Sequence, residues 1–486
     1  MNFPEFILAH DGDDLAALAL ARDRYAGEVP DFDLALTTLE VRRKLRDKVP
    51  EWYAVPSLVF PLRVSGEQCS STATARYKAS VAAALASTLT LTPQPALLAK
   101  NAGGHVSPDA AASTFAQKRL PSGTSGASPV LEGSENEGSS TKQASLVLGA
   151  RLADLTGGLG VDSWAFAQVF DEVLYNEMRP ELADAAAHNF RELGVTNITV
   201  RNYALVPGSM ASSSLIPGSD PGSPASVSQI LGSFHPDVLF LDPARRAADG
   251  RKVFRLEDCQ PDVLQLLPEL LSACPCILLK LSPMADITLV CKQLGCVKAV
   301  HVVASDGECK ELLLVLEKDW SGPHTLTIVE DGAAVDVPDF GPSTANTYPN
   351  CGRPPLFGDV YRTEPGSLLF EPGKALLKAG AFDLPCQFGL QKLGQHTHLY
   401  IGEEIPEALQ PFGKTYKILE ALPLDKRSIK IIGQKYPQAE VTARNIPLTS
   451  DQLRAKLGVR SGGDVHIFGL HSDALHSNLL LVAQRV

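Results

Sequence analysis

Within seven residues, Asp154-Leu-Thr-Gly157-Gly158-Leu-Gly160 brings together an acid and three glycines. Where such a run turns a strand into a helix, glycine lets the backbone approach a ligand and the first helical amides face its polar groups. A second acid, Glu177, follows the strand-like Glu172-Val-Leu-Tyr-Asn176, where a carboxylate can accept both hydroxyls of a ribose. A glycine-rich turn with a downstream acid also fits a dinucleotide. Asp154 separates the two readings. It would repel a pyrophosphate, but it suits the amino-acid end of S-adenosylmethionine (SAM), directly or through water. Two more candidates end apolar runs: Asp242-Pro243-Ala244-Arg245-Arg246, and Lys280-Leu-Ser-Pro283.

The elements that must position these residues alternate strand and helix. Arg151–Asp154 ends a strand, 161–170 reads as a helix, 172–176 as a strand and 180–193 as a helix closed by Gly194. Strands are expected at 198–201, 237–241 and 276–281, with helices near 256–271 and 285–294. The strand pair 297–303 and 311–316 follows with no helix between. Such alternation predicts an α/β doubly wound parallel sheet whose ligands sit at the strand C-termini. Residues 1–81 read as helical. Residues 82–144, rich in Ala, Ser, Thr, Gly and Pro, predict a disordered low-complexity insertion, and 206–228 a long surface loop. A domain over 145–319 is followed by small α+β modules at 320–409 and 410–486. In the last, strands are expected at 429–432, 440–443, 464–469 and 479–483, with a helix at 450–457.

Asp154 to Gly160, Glu177 and Asp242 to Arg246 resemble motifs I, II and IV of class I methyltransferases. More narrowly, the chain resembles the bacterial THUMP-like-domain methyltransferase family. That likeness extends to Glu67-Gln-Cys-Ser-Ser-Thr-Ala-Thr-Ala-Arg-Tyr-Lys-Ala-Ser80, Leu278–Met284, Glu308-Cys-Lys-Glu-Leu312, Val441–Pro447 and Ser461-Gly-Gly-Asp464. It implies a Rossmann-like seven-stranded core with an antiparallel strand pair at its edge, a ferredoxin-like module at 320–409, a THUMP-like module at 410–486, and RNA (tRNA or rRNA) as substrate. The insertion is a departure, since in the family the Thr-Ala-Arg-Tyr-Lys-Ala segment runs almost directly into motif I. The expected SAM-binding set is Asp154, Thr156, Gly157, Gly158, Gly160, Asp162, Glu177 and Asn202.

Asp242, Pro243 and Arg245 are the catalytic candidates. Amino-group methyltransferases carry Asp/Asn-Pro-Pro-aromatic here, and this chain keeps Asp242-Pro243 but has Ala244 and Arg245 in place of Pro and the ring. Arg245 could stack on a base or grip phosphate, or simply pair with Asp249 or Glu257. Covalent C5-pyrimidine chemistry needs a cysteine nucleophile after the fifth strand, and Lys280-Leu-Ser-Pro283 supplies none. Direct transfer to nitrogen or oxygen is therefore expected. Lys280 is read as either a phosphate contact or a snorkelling strand-end residue, and Arg444 as an exposed RNA contact beside a turn at Asn445. The alternatives are a protein or small-molecule acceptor, or a non-catalytic SAM- or RNA-binding protein.

Composition sets the bounds. Net charge is −11, but residues 410–486 carry 11 Lys+Arg against 6 Asp+Glu, a basic module on an acidic body. The nine cysteines lack paired C-x-x-C spacing, which implies reduced thiols and no metal. No run of about 18 apolar residues suggests a membrane span and the N-terminus does not read as a secretory signal, so a cytoplasmic protein is expected. The sequence does not specify an oligomeric state.

Overall fold

The computed structural model describes residues 1–25, 27–91, 147–210, 220–244, 256–337, 367–473 and 475–486. The larger of its two main sheets contains β1 (Val147–Asp154), β2 (Phe170–Asn176), β3 (Ile198–Arg201), β6 (Val238–Leu241), β7 (Cys276–Leu281), β8 (Val297–Ser305), β9 (Glu308–Glu317), β10 (Thr325–Glu330) and β11 (Ala333–Val337). A short parallel pair, β4 (Tyr203–Leu205) with β5 (Ser223–Ala225), lies apart and replaces some of the loop expected over 206–228. The order in the large sheet is β11-β10-β8-β9-β7-β6-β1-β2-β3.

Seven of these strands, β3-β2-β1-β6-β7-β9-β8, form the expected doubly wound core. β9 is antiparallel and lies between β7 and β8, so the β8–β9 pair forms the expected edge of these seven strands. One detail differs from expectation. β10 then adds parallel to β8 and β11 closes the sheet, which assigns 325–337 to this domain and not to the following module. The apolar face of Thr325–Glu330 explains this, because Leu326 and Ile328 pack with Val300 and Val302 in one core.

Period-two alternation sends neighbouring residues of each strand to opposite faces. Leu152, Val173, Val238, Phe240, Leu278, Leu313 and Val315 join one core; Ala153, Leu174, Leu239, Ile277, Leu279, Leu312 and Leu314 join the other. The first face is covered by the N-terminal helices. The helix Thr72–Leu91 buries Ala75, Ala79, Ala82, Ala83 and Ala86 against it. Residues 82–91 are thus helical, because alanines at helical spacing let the helix lie close to the strands; the insertion cannot begin at 82. Its remainder, 92–144, lies outside the described residues.

The second sheet orders β13-β14-β12-β15-β18-β17-β16. It comprises β12 (Leu368–Pro372), β13 (Gln391–Lys392), β14 (Tyr400–Gly402), β15 (Gly413–Pro423), β16 (Glu440–Arg444), β17 (Val465–Ser472) and β18 (Ser477–Arg485). The two expected C-terminal modules share this sheet through the β12–β15 pairing. Residues 429–432 are helical, inside Lys426–Lys435, where Ile432 faces the core and Lys426 and Lys430 face solvent. The sheet is tied to the first domain by Glu330, whose carboxylate accepts from the Lys374 and Ala375 amides opening the helix Lys374–Ala379.

Candidate cofactor and acceptor site

Parallel strands leave their C-terminal ends on one rim, and this rim collects the chemistry. Strand by strand from β9 to β3 it carries Glu311, Lys280, Asp242, Asp154, Glu177 and Asn202. Asp154 ends β1 fully buried. One carboxylate oxygen accepts from the Thr156 amide (3.0 Å), the other from the Ser163 hydroxyl (2.6 Å). Burial pushes its carboxyl up to about 7 against these two bonds, with Asp162 and Asp242 adding repulsion. Glu177 also stands above the ordinary carboxylate range because it is buried, although it accepts from the Gly158 (2.9 Å) and Arg179 (2.9 Å) amides.

The turn between them is shaped by close packing. A Cβ on Gly157 would lie 2.0 Å from the Tyr175 ring, and the Tyr175 hydroxyl donates to the Gly158 carbonyl (2.6 Å). Gly158 has φ +55° and Gly160 φ +94°, where glycine is favoured. Asn176 clamps the neighbouring strand ends, donating to the Leu155 and Tyr203 carbonyls and accepting from the Tyr203 amide. Asn202 donates its amide to the Glu177 carbonyl (2.6 Å), while its buried Oδ1 has no hydrogen-bond partner among the described residues. A buried amide oxygen without a donor is uncommon and marks a place for a ligand N–H.

Asp242 follows β6, and its backbone N–H donates to the Thr156 hydroxyl (2.6 Å), fixing the second acidic loop to the glycine turn. Thr156 therefore reaches Asp242. Pro243 is buried and Ala244 forms a two-way backbone bridge with Gln260. Arg245 lies outside the described residues. Lys280 is neither snorkelling nor free for phosphate: its ammonium sits 2.5 Å from Asp242 Oδ2. Burial opposes that charge, but Asp242, Glu311 and Asp162 outweigh it and hold the group above its ordinary range.

Asp162 is also engaged otherwise than expected. Its carboxylate accepts from the Ser70 hydroxyl (2.9 Å) and pairs with Lys78 (3.2 Å). Lys78, fully buried, further donates to both Glu311 oxygens (2.9 and 3.0 Å) and to Ser70 (2.9 Å). Sequence reasoning missed Lys78, Glu311, Ser70 and Ser163. A signal existed for Lys78: it stands three residues after Ala75 and one before Ala79, on the alanine face. Arg444 corrects another expectation. Asn445 does adopt a turn conformation (φ +53°), yet Arg444 is half-buried and paired with Glu371 (2.9 Å), which also accepts from Tyr416.

Two family models match the second sheet: a ferredoxin-like domain over residues 368–409 and a THUMP domain-like module over 413–485. Among solved structures, a provisionally named methyltransferase from Porphyromonas gingivalis W83 superposes with TM-score 0.67 and 24% identity, covering 100% of this chain and 97% of that one. An rRNA methylase from Streptococcus thermophilus (TM-score 0.23, 10% identity) covers 35% of this chain and 86% of that one. No functionally curated protein is detectably similar in sequence. The first domain has the class I methyltransferase fold, joined to ferredoxin-like and THUMP-like modules. The chain thus joins a methyltransferase-like fold to a ferredoxin-like and a THUMP-like domain.

Proposed function

We propose that this chain is a SAM-dependent methyltransferase acting on RNA (tRNA or rRNA). The observation that carries the cofactor half is the rim itself: two buried acids, Asp154 and Glu177, flank a glycine turn too tight for a side chain at Gly157. Asp154 would meet the cationic amino-acid end, Glu177 the ribose hydroxyls, and the unpartnered Asn202 Oδ1 an adenine amino group. SAM bound there would supply an electrophilic methyl on a sulfonium, a cation that suits a rim with this excess of carboxylates. Asp242 would orient the acceptor.

The RNA half rests on the THUMP-like module and its charge. Several of its cations are engaged: Lys435 pairs with Glu420, Arg454 with Asp451 and Arg444 with Glu371. Lys426, Arg427 and Lys430, exposed on one helix, and exposed Arg460 make no ion pair among the described residues. They could neutralise phosphates. Calorimetry tests the cofactor: SAM should bind, and Glu177→Ala should weaken it by about 1–3 kcal/mol, as loss of a charged hydrogen bond would. No SAM binding, or tight NAD binding, refutes the reading.

A further inference from the structure

The buried charges beside Asp242 bear on which atom accepts the methyl group. Lys78 and Glu311 belong to stretches singled out in the sequence, yet neither touches the glycine turn. Strand order β9-β7-β6 sets Glu311, Lys280 and Asp242 side by side, with Lys280 opposite Leu313 and Leu281 opposite Leu312 in the β7–β9 register. Lys78 reaches this row from the helix above. Two ammonium groups are thus buried within one polar cluster, a costly arrangement unless each is fully paired. Lys78 is paired with Glu311 and Asp162, which leaves Lys280 to Asp242.

We infer that the acceptor is a hydroxyl, on RNA the ribose 2′-hydroxyl, and that Asp242 and Lys280 act on it as a pair. This rests on the SAM-dependent reading above. An exocyclic base amine offers N–H donors and needs acceptors around it. Here one Asp242 oxygen already takes the Lys280 ammonium, and an ammonium can only donate. A hydroxyl fits both partners, donating to Asp242 and accepting from Lys280. Position 245, where an aromatic would stack a base in an amino-group methyltransferase, is Arg in this chain. An alcohol is also the acceptor that gains most from a fixed cation, since negative charge develops on its oxygen as its proton leaves.

In the transfer, the hydroxyl proton passes to the Asp242 carboxylate as the oxygen attacks the sulfonium methyl. The methyl–sulfur bond breaks with its electron pair remaining on sulfur, the oxygen–carbon bond forms, and S-adenosylhomocysteine leaves. Lys280 stays protonated throughout. Asp242, about one-third exposed, returns its proton to solvent. Lys78 is a positioning residue: by neutralising Glu311 and Asp162 it keeps Lys280 from turning away from Asp242.

The test uses the full chain, methyl-tritiated SAM and RNA from cells deleted for the gene, followed by alkaline hydrolysis. A 2′-O-methyl group blocks cleavage of the adjoining phosphodiester, so the label should appear in alkali-resistant dinucleotides. Label in mononucleotides overturns the hydroxyl assignment while leaving the methyltransferase reading intact. SAM binding without label in RNA overturns the ribose acceptor; absence of SAM binding overturns the cofactor reading beneath it. Lys280→Met should lower turnover about 10²- to 10⁴-fold, the range of a positioned acid–base partner, with SAM affinity changed less than about threefold. Lys78→Met alone leaves the buried Glu311 carboxylate without its cation and destabilises the chain, so the Lys78→Met/Glu311→Gln pair is the informative variant. It should melt near wild type and bind SAM, yet turn over at least about tenfold more slowly. Unimpaired turnover in that pair would overturn the role of Lys78.

Discussion

Asp154 offers the sharpest test, because its burial couples cofactor affinity to pH. Its carboxyl stands at about 7 in the free protein, with desolvation the leading cause. A bound cation favours the ionised form, so SAM binding near pH 6 should expel a proton. If the bound-state value falls below about 4, affinity scales with the ionised fraction of the free protein. That fraction is about 1% at pH 5, so affinity should be roughly 100-fold, or ~2.7 kcal/mol, weaker there than on the plateau above about pH 8. The sign is fixed: affinity rises with pH through about 7 and then levels. Without ligand, the raised carboxyl acts oppositely on stability. The unfolded chain ionises first, so stability present below about pH 4 is lost as pH rises toward about 7. The assay is calorimetry from about pH 5 to 8 in buffers of different ionisation heat. Asp154→Asn is the control, since Asn can still accept from the Thr156 amide while the Ser163 hydroxyl turns to accept. The ratio of the two proteins also cancels titration of SAM itself. Equal pH profiles, or no proton release, would refute the argument.

Other outcomes follow from the same contacts. Asp242→Ala should keep SAM affinity yet lose most turnover, since binding and chemistry divide at that residue; equal methylation by both proteins would make the loop only structural. Gly157→Ala should lower stability by about 1–3 kcal/mol, read as a drop in melting temperature, because the new methyl meets the Tyr175 ring. Changing Lys426, Arg427 and Lys430 together to Gln should reduce the slope of log affinity for RNA against log salt by about three, with melting unchanged. Arg444→Met, by contrast, should weaken the module through Glu371 and leave that slope almost unaltered, measurable by parallel melting and binding curves.

The sequence by itself determined the alternating core, because its strands are short apolar runs and its helices carry periodic apolar faces between recognisable stops. Cys276–Leu281 and Ile198–Arg201 form the strands expected, and Glu440–Arg444 nearly so. The glycine turn and its acids were readable for a similar reason, since residue types that chemistry requires stand beside strand ends. Tertiary structure decided the rest. Ile429–Ile432 has a strand-like local composition, but Lys426–Lys435 places Ile432 and Ser428 on one buried helical face, a period that becomes visible only over ten residues. β10 and β11 joined the first sheet because β8 offered an unpaired edge, which no local pattern encodes. Lys280 looked like a free cation until Asp242, 38 residues earlier in the chain, stood beside it. Lys78 and Glu311 are 233 residues apart and meet only because strand order and the packing of an alanine-faced helix bring them to one rim. Pairings at such separations are set by topology, and topology is where a buried charge finds its partner.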